Sequence, residues 1–174
     1  MKKILVVTGS RGEWGYLRPI LELLKNLPDI EFDLLVTNMH LLASHGNSYK
    51  EIENDGFEIK HKIDMSFSSD NYFTHIKGMG VLMQSISDVL LNNHYDVVLV
   101  SGDRGEQLIA TICASYCYIP VAHIQAGEVS GNIDGVARHA IGKLAHVHFA
   151  SNEDAANRLI NLGEQDFRIH LVGA

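Results

Sequence analysis

The sequence predicts an α/β fold, a doubly wound and mostly parallel sheet with helices on both faces. Two observations predict it. Short β-branched apolar runs recur along the chain and end in Gly-rich or polar turns, and between them apolar residues fall at helical spacing. The order strand, helix, strand repeats six times, and repeated crossovers of that kind join parallel strands.

The elements follow in order. Ile4 to Val7 is a continuous apolar run ending at Thr8-Gly9-Ser10, as in a strand buried on both faces. Trp14 to Leu27 carries Leu17, Ile20, Leu21, Leu24 and Leu27 at helical spacing, with Pro19 in the first turns, where a missing N–H costs least. Phe32 to Thr37 reads as a second strand, Ser48 to Asp55 as a short helix, and Phe57 to His61 as a third strand. Asp64 to Thr74 is polar and aperiodic, a surface loop. Ile76 to Leu91 is a longer helix, and Asp96 to Ser101 a fourth strand. Glu106 to Tyr116, Ile133 to Ala145 and Asn152 to Leu162 are helices, the last closed by Gly163. They alternate with strands at Ile119 to Ile124, Val147 to Ala150 and Phe167 to Val172.

The 174 residues suit one domain with a real core. Apolar residues make up 46% and charged residues 20%, which excludes disorder, collagen and coiled coil. Fourteen basic against 21 acidic residues give a net charge of −7, with no basic stripe for nucleic acid. The opening MKKILVVTG is too short for a signal peptide, and no run could span a bilayer. With two cysteines, Cys113 and Cys117, disulfides cannot frame the fold, and the composition predicts a cytoplasmic protein.

In an open α/β sheet, ligands bind beyond the carboxyl ends of the strands. After the first strand stands Gly9-Ser10-Arg11-Gly12-Glu13-Trp14-Gly15. Its glycines could bring backbone N–H groups to an anion at a helix start, with Arg11 adding a charged fork, or form only a tight turn. The spacing is not G-x-G-x-x-G, and Thr37-Asn38 stand where a nicotinamide ribose needs an acid, so no such cofactor is expected.

After the fourth strand, Gly102-Asp103-Arg104-Gly105-Glu106 offers a base and an anion clamp, or else an Asp helix cap with Arg104 paired to an exposed acid. After the fifth strand, Glu128 lies among small residues, followed by Asp134, Arg138, His139 and Lys143 on a helix. Asp134 with Arg138, and His139 with Lys143, are spaced i,i+4. They form a solvated polar face or the wall of a site, opposite Ile133, Val136, Ala137, Ala140, Ile141 and Leu144. Cys113 and Cys117 read as small core residues. His146 and His148 alternate on one strand face without further ligands at metal spacing, so no metal is expected. No G-x-S-x-G elbow is present.

Taken together these segments resemble the hydrolysing UDP-N-acetylglucosamine 2-epimerases. Gly9 to Gly15 with Leu17-Arg18-Pro19 is similar to the family's first-loop motif. Val36 to Leu41, Tyr49 to Ile52, Gly102-Asp103-Arg104-x-Glu106, His123-Ile124-x-x-Gly127-Glu128 and Ile133-Asp134 through Arg138-His139-Ala140-Ile141 follow in family order. The branch most similar makes N-acetylmannosamine for sialic-acid-type sugars.

The resemblance implies a Rossmann-like amino-terminal domain over residues 1–174, one half of a GT-B pair whose carboxy-terminal domain is not in this sequence. It implies elimination of UDP followed by hydration, with no metal or redox cofactor. By motif, Asp103, Glu128 and Asp134 would be the acid–base carboxylates, and Arg11, Arg104, Arg138 and His139 would contact substrate. Gln125 stands where many members carry Glu, and it cannot act as a base.

Alternatives are a non-catalytic nucleotide-sugar-binding or regulatory domain, or a 2-epimerase for a related GDP- or UDP-linked amino sugar. An exposed domain face predicts self-association into a homo-oligomer or pairing with the second domain. The stripe Met79, Leu82, Met83, Ile86 and Leu90 serves either a dimer face or the core.

Overall fold

A computed structural model of the chain describes residues 1–67, 69 and 71–173. Ser68 and Asp70, in the loop expected over 64–74, and Ala174 lie outside the described residues. Seven strands form one parallel sheet in the order β3-β2-β1-β4-β5-β6-β7. They are β1 (Lys2–Thr8), β2 (Ile30–Thr37), β3 (Ile59–Ile63), β4 (Val97–Ser101), β5 (Val121–Ile124), β6 (Val147–Ala150) and β7 (Ile169–Leu171). The helices are α1 (Arg11–Leu24), α2 (Tyr49–Asn54), α3 (Tyr72–Asn92), α4 (Gly105–Tyr116), α5 (Ile133–Leu144) and α6 (Glu153–Asn161).

The strand order reverses direction between β1 and β4, and this switch point opens the crevice in which α/β proteins hold ligands. Right-handed crossovers then sort the helices by face. Leftward connections put α1 and α2 on one side, where Trp14, Leu17, Leu21 and Ile52 pack on Val6, Leu34 and Val36. The crossover back and the rightward connections put α3, α4 and α5 on the other side, against Leu5, Val7, Leu35, Val98 and Val100. The α6 helix joins that second side, where Lys143 of α5 pairs with Glu164 in the turn after α6. The Leu82–Ile86–Leu90 stripe of α3 is buried, so it serves the core and not a dimer face.

One consequence is an uncovered stretch. On the α1 side, β4 to β6 carry no local helix. Leu99, Ile124 and Phe149 line an apolar groove of about 590 Å³ with Tyr16, Pro19 and Ile20 of α1, and Val172 and Gly173 border it.

Several boundaries differ from expectation for identifiable reasons. The first helix starts at Arg11, because the Ser10 hydroxyl caps the Glu13 N–H and the Glu13 side chain reaches back. Gly12 and Gly15 are therefore helical, and Pro19 stands well inside the helix, where its ring forgoes a bond to the Gly15 carbonyl. The third helix starts at Tyr72, capped by Asn71, and absorbs the end of the expected loop. Cys113 is buried, but Cys117 caps α4 in solvent. His146 precedes β6 and is exposed while His148 is buried, so the two rings do not share a face. On α5 the apolar side is not the buried one throughout, since Ile133 and Val136 are exposed and Arg138 is buried.

Candidate functional site

The carboxyl edge brings the expected residues together in two groups. The first centres on Arg138, whose guanidinium is buried. Its Nη2 donates to Asp103 and to Ser130 Oγ (3.2 Å), and its Nη1 to the Gln125 carbonyl (2.7 Å) and Glu128 (3.3 Å). Each carboxylate also accepts from a hydroxyl. Ser130 donates to Asp103 at 2.6 Å and Ser151, just past β6, donates to Glu128 at 2.5 Å. Segments following β4 and β5 thus meet on one cation, and Ser151 after β6 braces the second carboxylate. Burial alone would raise the Asp103 pKa, but the Ser130 and Arg138 hydrogen bonds and the Arg138 charge hold it below the usual carboxylate value.

The expected Asp cap of α4 is absent, because residue 104 is the cap position and Asp103 turns to Arg138. The expected i,i+4 pair of Asp134 and Arg138 does not form either. Arg138 points inward, while half-buried Asp134 accepts from the Asn132 amide in the first turn of α5. The charge of Asp134 is nonetheless felt at Arg104. His139 is half-buried, with Nδ1 sealed and without a partner among the described residues.

The second group flanks the turns at 38–46. Arg104 borders a cavity of about 370 Å³ with Asn38, Met39, His45 and His75. Arg11 borders an adjoining cavity of about 460 Å³, also walled by Met39, Ser44 and His45. Arg11 is exposed and paired with Glu51, and Arg104 Nε donates to Glu106 at 2.8 Å. Glu106 is fully buried, so the acid that holds Arg104 is an interior one.

Three residues of this edge were not singled out from sequence. Glu13 Oε2 accepts from Gly9 N (2.5 Å), Ser10 N (3.2 Å) and Gln107 Nε2 (2.9 Å), so the backbone donors that could have met an external anion are already taken by an internal carboxyl oxygen. The spacing Ser10-x-x-Glu13 is a capping box, and that signal was present in the sequence. Burial and the neighbouring Glu106 push the Glu13 pKa up to about 8. A Cβ on Gly9 would overlap the Glu106 carboxyl, which explains glycine there. Gln107 ties β1 to β4 by donating to Val7 O (3.4 Å) and accepting from Ser101 N (3.4 Å). His40, kept neutral by burial with a pKa of about 4, bridges Thr8 (3.0 Å) and Ser48 (2.8 Å), anchoring the 38–41 turn to β1.

Chemically, the edge offers fixed carboxylates, a half-exposed carboxylate at a helix start and two arginines along adjoining cavities. Among the described residues no group of three or more His, Cys, Asp or Glu side chains could hold a metal, and no helix is long and apolar enough to cross a membrane.

Comparison with known proteins gives a consistent picture. Residues 22–174 match the family model described as UDP-N-acetylglucosamine 2-epimerase. The chain is 40% identical to UDP-N,N'-diacetylbacillosamine 2-epimerase (hydrolyzing) of Legionella pneumophila, covering 100% of this chain and 46% of that protein. It is 39% identical to polysialic acid biosynthesis protein P7 of Escherichia coli, covering 100% of this chain and 45% of that one. The crystal structure of Methanocaldococcus jannaschii UDP-GlcNAc 2-epimerase with UDP-GlcNAc and UDP superposes with a TM-score of 0.86 at 27% identity, covering 99% of this chain and 46% of that chain. The chain spans about half the length of the curated relatives it matches, and its fold is the Rossmann-like half of those GT-B proteins. A doubly wound sheet with this set of edge residues, matched over most of its length, belongs to the UDP-N-acetylglucosamine 2-epimerase family.

Proposed function

We propose that residues 1–174 form the amino-terminal domain of a hydrolysing UDP-N-acetylglucosamine 2-epimerase, converting UDP-N-acetylglucosamine to N-acetylmannosamine and UDP. The observation that carries it is the convergence of Asp103 and Glu128, from different strand ends, on Arg138. Asp134 stands on the same edge, at the start of α5.

The C2 proton of a sugar is weakly acidic. If the C1–O bond to UDP breaks as C2–H is removed, the electron pair forms the C1–C2 double bond of 2-acetamidoglucal and the charge leaves on the diphosphate. Water then delivers OH to C1 while C2 takes a proton from the opposite face. This requires a carboxylate near C2, a proton donor and cations for the diphosphate. Asp134, at the helix start, and Glu128, beside Ser151, suit the proton transfers. Asp103, held ionised, suits an orienting and charge-stabilising role. Arg104 and Arg11 border cavities where a diphosphate fits. Arg138 spends its Nη donors on Asp103, Glu128, Ser130 and the Gln125 carbonyl, so it serves as a clamp and not as a substrate contact.

The counterpart of the relatives' carboxy-terminal half completes the cleft, and the apolar groove beside α1 is a surface for it or for a second copy. The sialic-acid branch is supported by the Escherichia coli relative, and action in the cytoplasm by the composition. A related reading, a 2-epimerase for an N,N'-diacetylated amino sugar, is favoured by the Legionella pneumophila relative. The test joins this domain to a carboxy-terminal half and measures UDP release from UDP-N-acetylglucosamine and from UDP-N,N'-diacetylbacillosamine. Release from the first supports the main proposal, release from the second alone supports the related one, and release from neither removes both.

A further inference from the structure

We propose that His123 is a positioning residue for Asp103: its neutral imidazole, carrying hydrogen on Nε2, pins the Gly102 carbonyl and so fixes the turn that aims the Asp103 carboxylate at Arg138. The proposal deepens the assignment of Asp103 above and rests on it.

His123 is fully buried on β5, in register with Val100 of β4. Its ring reaches past the end of β4, where Nε2 lies 2.7 Å from Gly102 O. A carbonyl oxygen can only accept, so Nε2 must carry the hydrogen. The Nδ1 atom is sealed from solvent with no partner among the described residues, and burial holds the ring pKa down at about 4. Arg138 and His148 facing the ring also disfavour a second proton, while Asp103 weakly favours one.

Gly102 is held at both ends. Its N–H donates to Ile124 O at 3.0 Å and its carbonyl accepts from His123, so two consecutive β5 residues grip the peptide units on either side of the residue that follows β4. The glycine has φ +82, a left-handed conformation that side chains resist. The chain turns there, and the next residue is Asp103, which meets Ser130 and Arg138. Without the imidazole the buried Gly102 carbonyl loses its donor and the turn its brace.

The test uses the isotopically labelled chain and needs no substrate. Long-range proton–nitrogen spectra should show His123 as the Nε2–H tautomer, unchanged from pH 5.5 to 8. An Nδ1–H tautomer, or a titration in that range, overturns the proposal. The Asp103 carboxyl carbon is then titrated in the unsubstituted chain, in His123→Gln, whose amide can place a donor near Nε2, and in His123→Leu. The expected result is a midpoint raised by about 1 pH unit in the Leu variant and restored in the Gln variant. Equal midpoints in all three mean that His123 only fills space, which overturns the proposal. Should His123→Leu fail to fold, the tautomer in the unsubstituted chain decides alone. A failed assignment of Asp103 itself shows elsewhere, as UDP release unaffected by Asp103→Asn in the joined protein.

Discussion

Arg138 and Asp103 form an ion pair between the start of α5's second turn and the loop after β4, and the same guanidinium lies 3.3 Å from Glu128. Both acids are largely withdrawn from water, with 19% and 27% of their side-chain surface exposed. Removing the cation leaves two carboxylates facing each other. Arg138→Leu is expected to destabilise the chain by about 3 kcal/mol in denaturant titrations. Arg138→Lys should recover only part of that, because one ammonium cannot reproduce the fork.

Glu13 gives the chain a pH dependence of definite sign. Its pKa is about 8 in the fold against 4.5 in the open chain, through burial first and the Glu106 charge second. The native state therefore keeps a proton that the unfolded state loses. This contribution to stability is complete below pH 4.5 and disappears as pH rises to about 8. Glu13→Gln cannot release that proton, so its unfolding free energy should fall less over this window in urea melts at stepped pH. Parallel curves for the two proteins would contradict the assignment.

Asp103 works in the opposite direction. Its lowered pKa contributes stability above the unfolded value of 3.8, lost as pH falls through the folded one. Asp103→Asn should be less stable than the unsubstituted chain at pH 7 and converge with it in acid. In the joined protein, Asp134→Asn and Glu128→Gln are expected to lower kcat for UDP release by about 10²–10⁴, the usual worth of a positioned acid or base.

The groove formed by Leu99, Ile124, Phe149 and Ile20 should make the isolated chain adhesive. Gel filtration is expected to show association that grows with concentration, and Phe149→Glu should reduce it. A clean monomer of the unsubstituted chain at high concentration would contradict this.

How far this could be read in advance differs by residue. The sheet was legible because buried parallel strands such as Leu5-Val6-Val7 are continuous apolar runs, and because loops after such strands are where ligands bind. The placement of Asp103 and Glu128 at this edge was therefore legible. The partner of Arg138 was misjudged, since helical spacing pairs it with Asp134, while its long side chain reaches inward across two loops. Glu13 and Glu106 look like surface acids in sequence. Only the strand order, which sets β1 beside β4, reveals that both lie at the switch point and are buried. The inward turn of His123 depends likewise on β5 lying beside β4.

The most direct measurement follows the C2 position of the sugar. UDP-N-acetylglucosamine is turned over in deuterated water by the domain joined to its carboxy-terminal half, and the product is read by proton NMR. Carboxylate-driven elimination and rehydration predicts N-acetylmannosamine with one deuterium at C2. Product that retains the original C2 hydrogen would contradict the account.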